Sequence, residues 1–276
     1  MLELYHHGSS VCAAKVRFAA NEKGIEIDRY HYVDILKGEQ FTRKFRSINP
    51  NSVVPSLVHD GKVINESTLI CEYLDEVFPG PPLQPTDPYA RYRMRLWTKV
   101  VDELLHPACA DLTYVSCHRH IMLRLSPAEL EASFENTPEH SVKGAWRQRK
   151  RELVTLGFDA PGVAGKFRLY ADQLAAMEAA LSRHDWLAGD AFSLADISLA
   201  PYVNRLDMLS MSGLWSGGRL PRVAEWFERI KARPSFKPAF LDWCPPELTE
   251  DLARFGAASW PTVQAIVGVG GNATRD

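Results

Sequence analysis

Ser10 and Cys12 stand two apart in LELYHHGSSVCAAKVRF, residues 2–18, between an alternating apolar run and a run with helical spacing. A helix start exposes unpaired N–H groups and a partial positive charge, so an anion settles there. A hydroxyl or thiol in that first turn can donate a hydrogen bond to a bound thiolate. Alternatively, Cys12 can become the thiolate itself, its pKa lowered by the same helix end. The plainer reading makes Ser10 an N-cap and Cys12 a small, half-buried residue. His6 and His7 are adjacent on a strand and point to opposite faces, so they cannot line one site. With no carboxylate or further histidine at ligand spacing, no metal site is expected; His118 and His120, lacking a third ligand, read as surface or pocket polars.

Two further signals lie within sixty residues. In VVPSL, Pro55 cannot donate to a sheet ladder; a cis bond after Val54 would turn that residue's backbone outward, where an extended peptide can pair with it. In NESTLICEYL, Ser67 opens a helix whose first N–H groups suit a carboxylate, and Glu66 beside it suits an ammonium group. Together they match the two ends of an amino-acid zwitterion. A trans edge proline and an ordinary helix cap are the alternatives.

The elements that must position these residues fall into two halves. Leu2–Tyr5 and IEIDRYHYV read as strands, Val11 to Glu22 as a helix ended by Gly24, residues 37–47 as an irregular polar helix, and Asp60-Gly61 as a hairpin turn. A helix runs from Glu66-Ser67 to Phe78. PGPPLQPTDP then carries five prolines in ten residues and reads as a linker. Beyond it the pattern is helical: Tyr89 to about Arg124, then near 141–157, 164–183, 193–212 and 221–233. The expected division is an α/β domain over 1–79, a linker over 80–88, an all-helical domain over 89–250 and a poorly ordered tail over 251–276.

Bulk properties narrow the class. The 276 residues are 46% hydrophobic, enough for a substantial core, and the net charge of −2 offers nothing to nucleic acid or an anionic membrane surface. No apolar run approaches the ~20 residues of a membrane span. Five scattered cysteines without a CxxC pair, and an N-terminus unlike a signal peptide, suggest a reducing cytoplasm.

The order of these motifs resembles the cytosolic glutathione transferase superfamily, with a thioredoxin-like first domain and a helical second one. WLAGDAFSLADISLAP, residues 186–201, resembles that family's folding signature, with Ser193 and Asp196 at capping-box spacing. VINESTLICEYLD and MRLWTKVVDE are similar to segments of bacterial β-aryl-ether-cleaving enzymes, whereas SSVCAAKVR and NRLDMLSMSGLW are similar to tetrachlorohydroquinone reductive dehalogenase. The dehalogenase resemblance implies a catalytic role for Cys12. The etherase type has Asn and Ser at this helix start, so Cys12 departs from it.

The resemblance further implies glutathione as co-substrate, held by Glu66 and Ser67 at its γ-glutamyl end and by Val54 and Pro55 at its cysteinyl backbone. Gln40 would face the glycine carboxylate, with Asn51 or Lys44 as alternatives. Ser10 or Cys12 would act on the thiolate, and Tyr5 would belong to the core. Of the residues on the long helix, His106, Cys109, Tyr114 and His118 are the expected walls of a pocket for a small aromatic substrate, with residues 126–168 a lid or an interface arm. Three activities remain open: displacement of a phenolate or halide by glutathione, reductive cleavage through Cys12, and binding without turnover. Dimerisation is implied too, with itself or a related subunit.

Overall fold

The computed structural model describes residues 1–139 and 144–268. Four strands, β1 (Leu2–His6), β2 (Arg29–Tyr32), β3 (Ser56–His59) and β4 (Lys62–Ile64), form one sheet in the order β2-β1-β3-β4. β1 runs parallel to β2 and antiparallel to β3; β3 and β4 form the Asp60-Gly61 hairpin. The parallel pair needs a crossover, supplied by α1 (Val11–Glu22). Leu4 and Leu57, adjacent across β1 and β3, are fully buried and belong to one apolar cluster with Val16, Phe18 and Ala19 of α1. A short 3₁₀ turn (Glu39–Phe41) and α2 (Arg43–Arg46) lead to β3, the Val54-Pro55 bond is cis, and α3 (Ser67–Val77) completes the first half.

From Pro88 to Met122 one long helix runs with two π-helical turns. It comprises α4 (Pro88–Val100), a π turn (Val101–Leu105), α5 (His106–Thr113), a second π turn (Tyr114–His118) and α6 (Arg119–Met122). Pro107 explains the first: its ring would strike the carbonyl of Glu103 in a regular α-helix, and the wider turn gives room. The His106 N–H reaches back five residues to Val101, and Arg119 likewise to Tyr114. Each inserted residue rotates the remainder of the helix, a shift invisible to a 3.6-residue template.

Helices α7 (Pro127–Glu135), α8 (Trp146–Leu156), α9 (Val163–Leu181), α10 (Leu194–Met208), α11 (Pro221–Lys231) and α12 (Pro246–Val267) build the rest. α10 is buried from Leu194 to Leu206 and packs on α1, so one apolar core joins both halves. Ser193 and Asp196 form the expected capping box, and Asp196 also accepts from the Leu187 N–H and the Trp226 indole.

Residues 251–267, within the tail expected to be poorly ordered, are helical and continue α12. Gly256 and Pro261 look like breakers in sequence, yet Leu248, Leu252, Gly256, Ser259 and Val263 share the buried face. Glycine is required at 256: a Cβ there would sit 2.1 Å from the Leu209 carbonyl oxygen. Residues 269–276 of the expected tail, and 141–143 of the helix expected from 141, lie outside the described residues; the helix there begins at Trp146.

Candidate active site

Cys12 is the second residue of α1 and faces a cleft of about 850 Å³ lined also by Val53, Val54, Pro55, Glu66 and Ser67. Its Sγ lies 3.4 Å from His106 Nδ1 and 3.7 Å from the Tyr202 hydroxyl. The first π turn brings His106 there; α10 brings Tyr202. Burial by itself would push the Cys12 thiol up. The charge and hydrogen bond of the His106 ring, Lys15 and the Tyr202 hydroxyl outweigh it, and the pKa falls to about 6. The Tyr202 phenol is held well above its usual value, by burial first and then by Cys12, so it donates to the sulfur. Burial pushes Cys71 and Cys117 up to about 12 and raises Cys109.

Lys15 is fully buried beneath the cleft. Its ammonium donates to Thr68 Oγ1 at 2.7 Å and Asp102 Oδ1 at 3.3 Å, and the Thr68 hydroxyl donates to Asp102 at 2.9 Å. This cluster ties α1 to α3 and to the first π turn at the point where Glu66 and Ser67 enter the cleft. Glu66 has φ +67°, which turns the chain into α3.

A second, smaller cavity of about 210 Å³ lies beside the first. Ser10, Gln40, Cys109, Thr113, Tyr114, His118 and Arg205 line it; Val53, Val54, His106, Ala110 and Trp146 line both. The Tyr114 ring packs edge-on against Trp146 at 5.5 Å and His118 at 5.1 Å. Burial lowers His118 to about 3, so the ring is neutral. Among the described residues no cluster of His, Cys, Asp or Glu is placed to hold a metal ion, and no helix is long and apolar enough to cross a membrane.

Two family models match this chain: the N-terminal domain of glutathione S-transferase over residues 4–82 and the C-terminal domain over residues 145–229. Protein LigF of Sphingobium sp. strain SYK-6 is 35% identical over 246 residues, 87% of this chain and 93% of that protein. The chain belongs to the glutathione S-transferase family. Glutathione is accordingly its co-substrate. The crystal structure of the β-etherase LigF matches this transferase with a TM-score of 0.76 at 34% identity, covering 87% of this chain and 98% of that one. Glutathione S-transferase TCHQD of Arabidopsis thaliana is 26% identical over 253 residues, 86% of this chain and 88% of that protein.

Within this transferase the two residues expected at the thiolate separate. Ser10 is the N-cap, its Oγ accepting from the Ala13 N–H at 3.2 Å, and it lines the smaller cavity. Cys12 faces the cleft with Glu66, Ser67, Val54 and Pro55. Gln40 lines the smaller cavity on the other side of Val53 and Val54 from Glu66, its amide donating to the Ile35 carbonyl. Asn51 and Lys44 are exposed and line neither. Tyr5 stacks on His31 and packs with the small apolar cluster of Val33, Phe45 and Val54. His106, Cys109, Tyr114 and His118 line the smaller cavity together; Trp97, also on the long helix, donates its indole N–H to the Leu187 carbonyl. From the segment 126–168, Trp146, Gln148, Arg149 and Glu152 wall the cleft, and Arg149 pairs with Asp111 at 2.7 Å. Sequence reasoning missed Tyr202, Arg205, Lys15 and Asp102; each is brought in by contact between distant elements. For Lys15 and Arg205, a charge inside an otherwise apolar helical face was the available signal.

Proposed function

We propose that this transferase uses the glutathione thiolate to displace an aryl-oxygen or halide leaving group from an aromatic substrate, with β-aryl ether cleavage the favoured form. The cleft takes glutathione and the smaller cavity takes the aromatic compound. What supports the reading is the shared rim: Val53, Val54, His106, Ala110 and Trp146 border both spaces, beside the α1 start. Glu66 and Ser67 would hold the γ-glutamyl zwitterion, and the Val54 backbone would pair with the cysteinyl unit. The thiolate attacks carbon, the carbon–oxygen bond breaks, and the phenolate leaves with the electron pair. Likeness to LigF over most of both chains supports the ether as substrate. The test is incubation with glutathione and a panel of aryl ethers and haloaromatics, with mass spectrometry of the released phenol and the glutathione adduct. Glutathione binding without turnover of any member refutes enzymatic use and leaves a binding protein.

The Cys12 geometry favours a second reading. A thiolate already at Cys12 disfavours another one in contact with it, but suits attack on the sulfur of a glutathione thioether. Cys12 would form a mixed disulfide with glutathione, the carbon–sulfur bond would break, and the released carbanion would take a proton to give the reduced product. A second glutathione then frees Cys12 as glutathione disulfide. Cys12→Ser separates the two: unchanged phenol release excludes the second reading, while loss of reduced product with accumulation of the adduct excludes Cys12 as a mere hydrogen-bond donor.

A dimer also fits this reading. Leu69 and Val77 on α3 and Tyr89, Tyr92 and Leu96 on α4 are exposed apolar residues that a second copy would cover. Light scattering of the pure chain tests it, and a monomer at micromolar concentration refutes it.

A further inference from the structure

Among the described residues Arg205 is a buried cation without a carboxylate in an ion pair with it. It sits on α10 with 4% of its surface exposed and lines the smaller cavity with Gln40, Tyr114 and His118. Its Nη2 donates to the Ser9 carbonyl, but Nε and Nη1 have no partner among the described residues. The carboxylate on neighbouring α5, Asp111, is already paired with Arg149. The Arg205 charge acts on His7, Cys109, Cys117, His118 and Tyr170. A guanidinium removed from water and left unpaired is among the costliest arrangements a fold can hold. The single bond to Ser9, which braces the turn before α1, accounts for one of its five N–H groups.

The cavity holds other unmatched polar atoms. Both ring nitrogens of His118 and Gln40 Oε1 are buried without partners among the described residues. A neutral imidazole offers one donor and one acceptor. Three side chains from three separate elements thus leave hydrogen-bonding capacity unused around one aromatic-walled space. The unmatched charge among them is positive.

We propose that this cavity selects an aromatic second substrate carrying an ionised oxygen, a carboxylate or phenolate, which Arg205 and His118 hold. This rests on the reading of the smaller cavity as the second-substrate site. An acidic group anchored at α10 leaves the rest of the ring toward the rim at Val54 and His106, where the cleft begins. Charge-assisted bonds supply orientation that an apolar pocket alone does not.

Calorimetric titration with benzoate, ionised 4-nitrophenol and methyl benzoate tests this on the wild-type chain, on Arg205→Met and on Arg205→Lys. The wild type is expected to bind an anionic probe about tenfold or more tightly than the ester. Preference for benzoate identifies a carboxylate site; preference for the nitrophenolate identifies a phenolate site. Arg205→Met should abolish the discrimination while retaining the ester, and Arg205→Lys should keep part of it. Equal wild-type affinity for acid and ester overturns the proposal without any variant, so misfolding of Arg205→Met cannot shelter it. Glutathione binding to Arg205→Met, read in the same instrument, reports whether the Ser9 turn survived; if lost, the wild-type and Arg205→Lys data decide. Anion preference without ether cleavage would strike the proposed reaction and leave this inference standing.

Discussion

Replacing His106 with leucine should return Cys12 to an ordinary thiol. In the folded chain Cys12 titrates near 6 against a usual 9.0. Three units correspond to about 4 kcal/mol of preference for the thiolate. Two of the lowering contributions come from His106, through its charge and its 3.4 Å contact. Leucine keeps the site filled, so the burial that raises the thiol stays, opposed by Lys15, Tyr202 and the helix end. The midpoint of ionisation should then rise above about 8. The assay is the pH dependence of iodoacetamide alkylation at Cys12, read by peptide mass spectrometry. The midpoint is the observable rather than the rate at neutral pH. A thiol returned to 9 loses about 90-fold in thiolate at pH 7 but gains about 20-fold in intrinsic nucleophilicity, leaving a change of only about fivefold. A wild-type midpoint near 6 that shifts up by two units or more supports the arrangement. A wild-type midpoint at 8 or above, or one unmoved by His106→Leu, refutes it.

Three other outcomes are expected. Glu66→Gln and Ser67→Ala should each weaken glutathione binding about tenfold by calorimetry, as a lost hydrogen bond to a charged group does; unchanged affinity removes the γ-glutamyl assignment. Acid should destabilise the fold before most carboxylates protonate. Burial lowers His6 to about 3, His7 to about 4 and His118 to about 3. Their folded values lie below the unfolded 6.5, so the unfolded chain takes up protons first and stability falls with pH below 6.5. Between pH 7 and 5 each histidine costs about 2 kcal/mol at most, while Asp196, raised by burial to about 6, returns about 1. Urea melts showing equal stability at those two pH values would contradict the buried neutral histidines. Asp196→Ala should cost about 3 kcal/mol or more, because it strips partners from the Leu187 and Ser193 N–H groups and the Trp226 indole, and thermal melting measures it.

The residues legible in sequence were those whose role is local. Ser10, Glu66-Ser67, Val54-Pro55 and the Ser193–Asp196 capping box announce themselves by type and short spacing, because caps and turns are satisfied within a few residues. The long helix was also legible, but not its two π turns, which shift the facing of everything after Val101 and again after Tyr114. α12 was obscured because a glycine required by contact with Leu209 looks, in sequence, like one that ends a helix. Tyr202 meets Cys12 across 190 positions, and no periodicity encodes such a pair.

The separation of Ser10 and Cys12 has a physical consequence for the reaction. Both belong to the start of one helix, so both feel its partial positive charge. Ser10, with Arg205 bonded to the preceding carbonyl, faces the smaller cavity; Cys12, with His106 and Tyr202, faces the cleft. His106 borders both spaces. An anion arriving on the Arg205 side therefore changes the field at the same helix end that stabilises the Cys12 thiolate. Like charges near one dipole compete, so an acidic aromatic bound in the cavity should raise the Cys12 midpoint, whereas its neutral ester should leave it in place. Alkylation profiles with saturating benzoate and with methyl benzoate measure this directly. An identical midpoint under both would mean that the two spaces do not communicate electrostatically through the helix start.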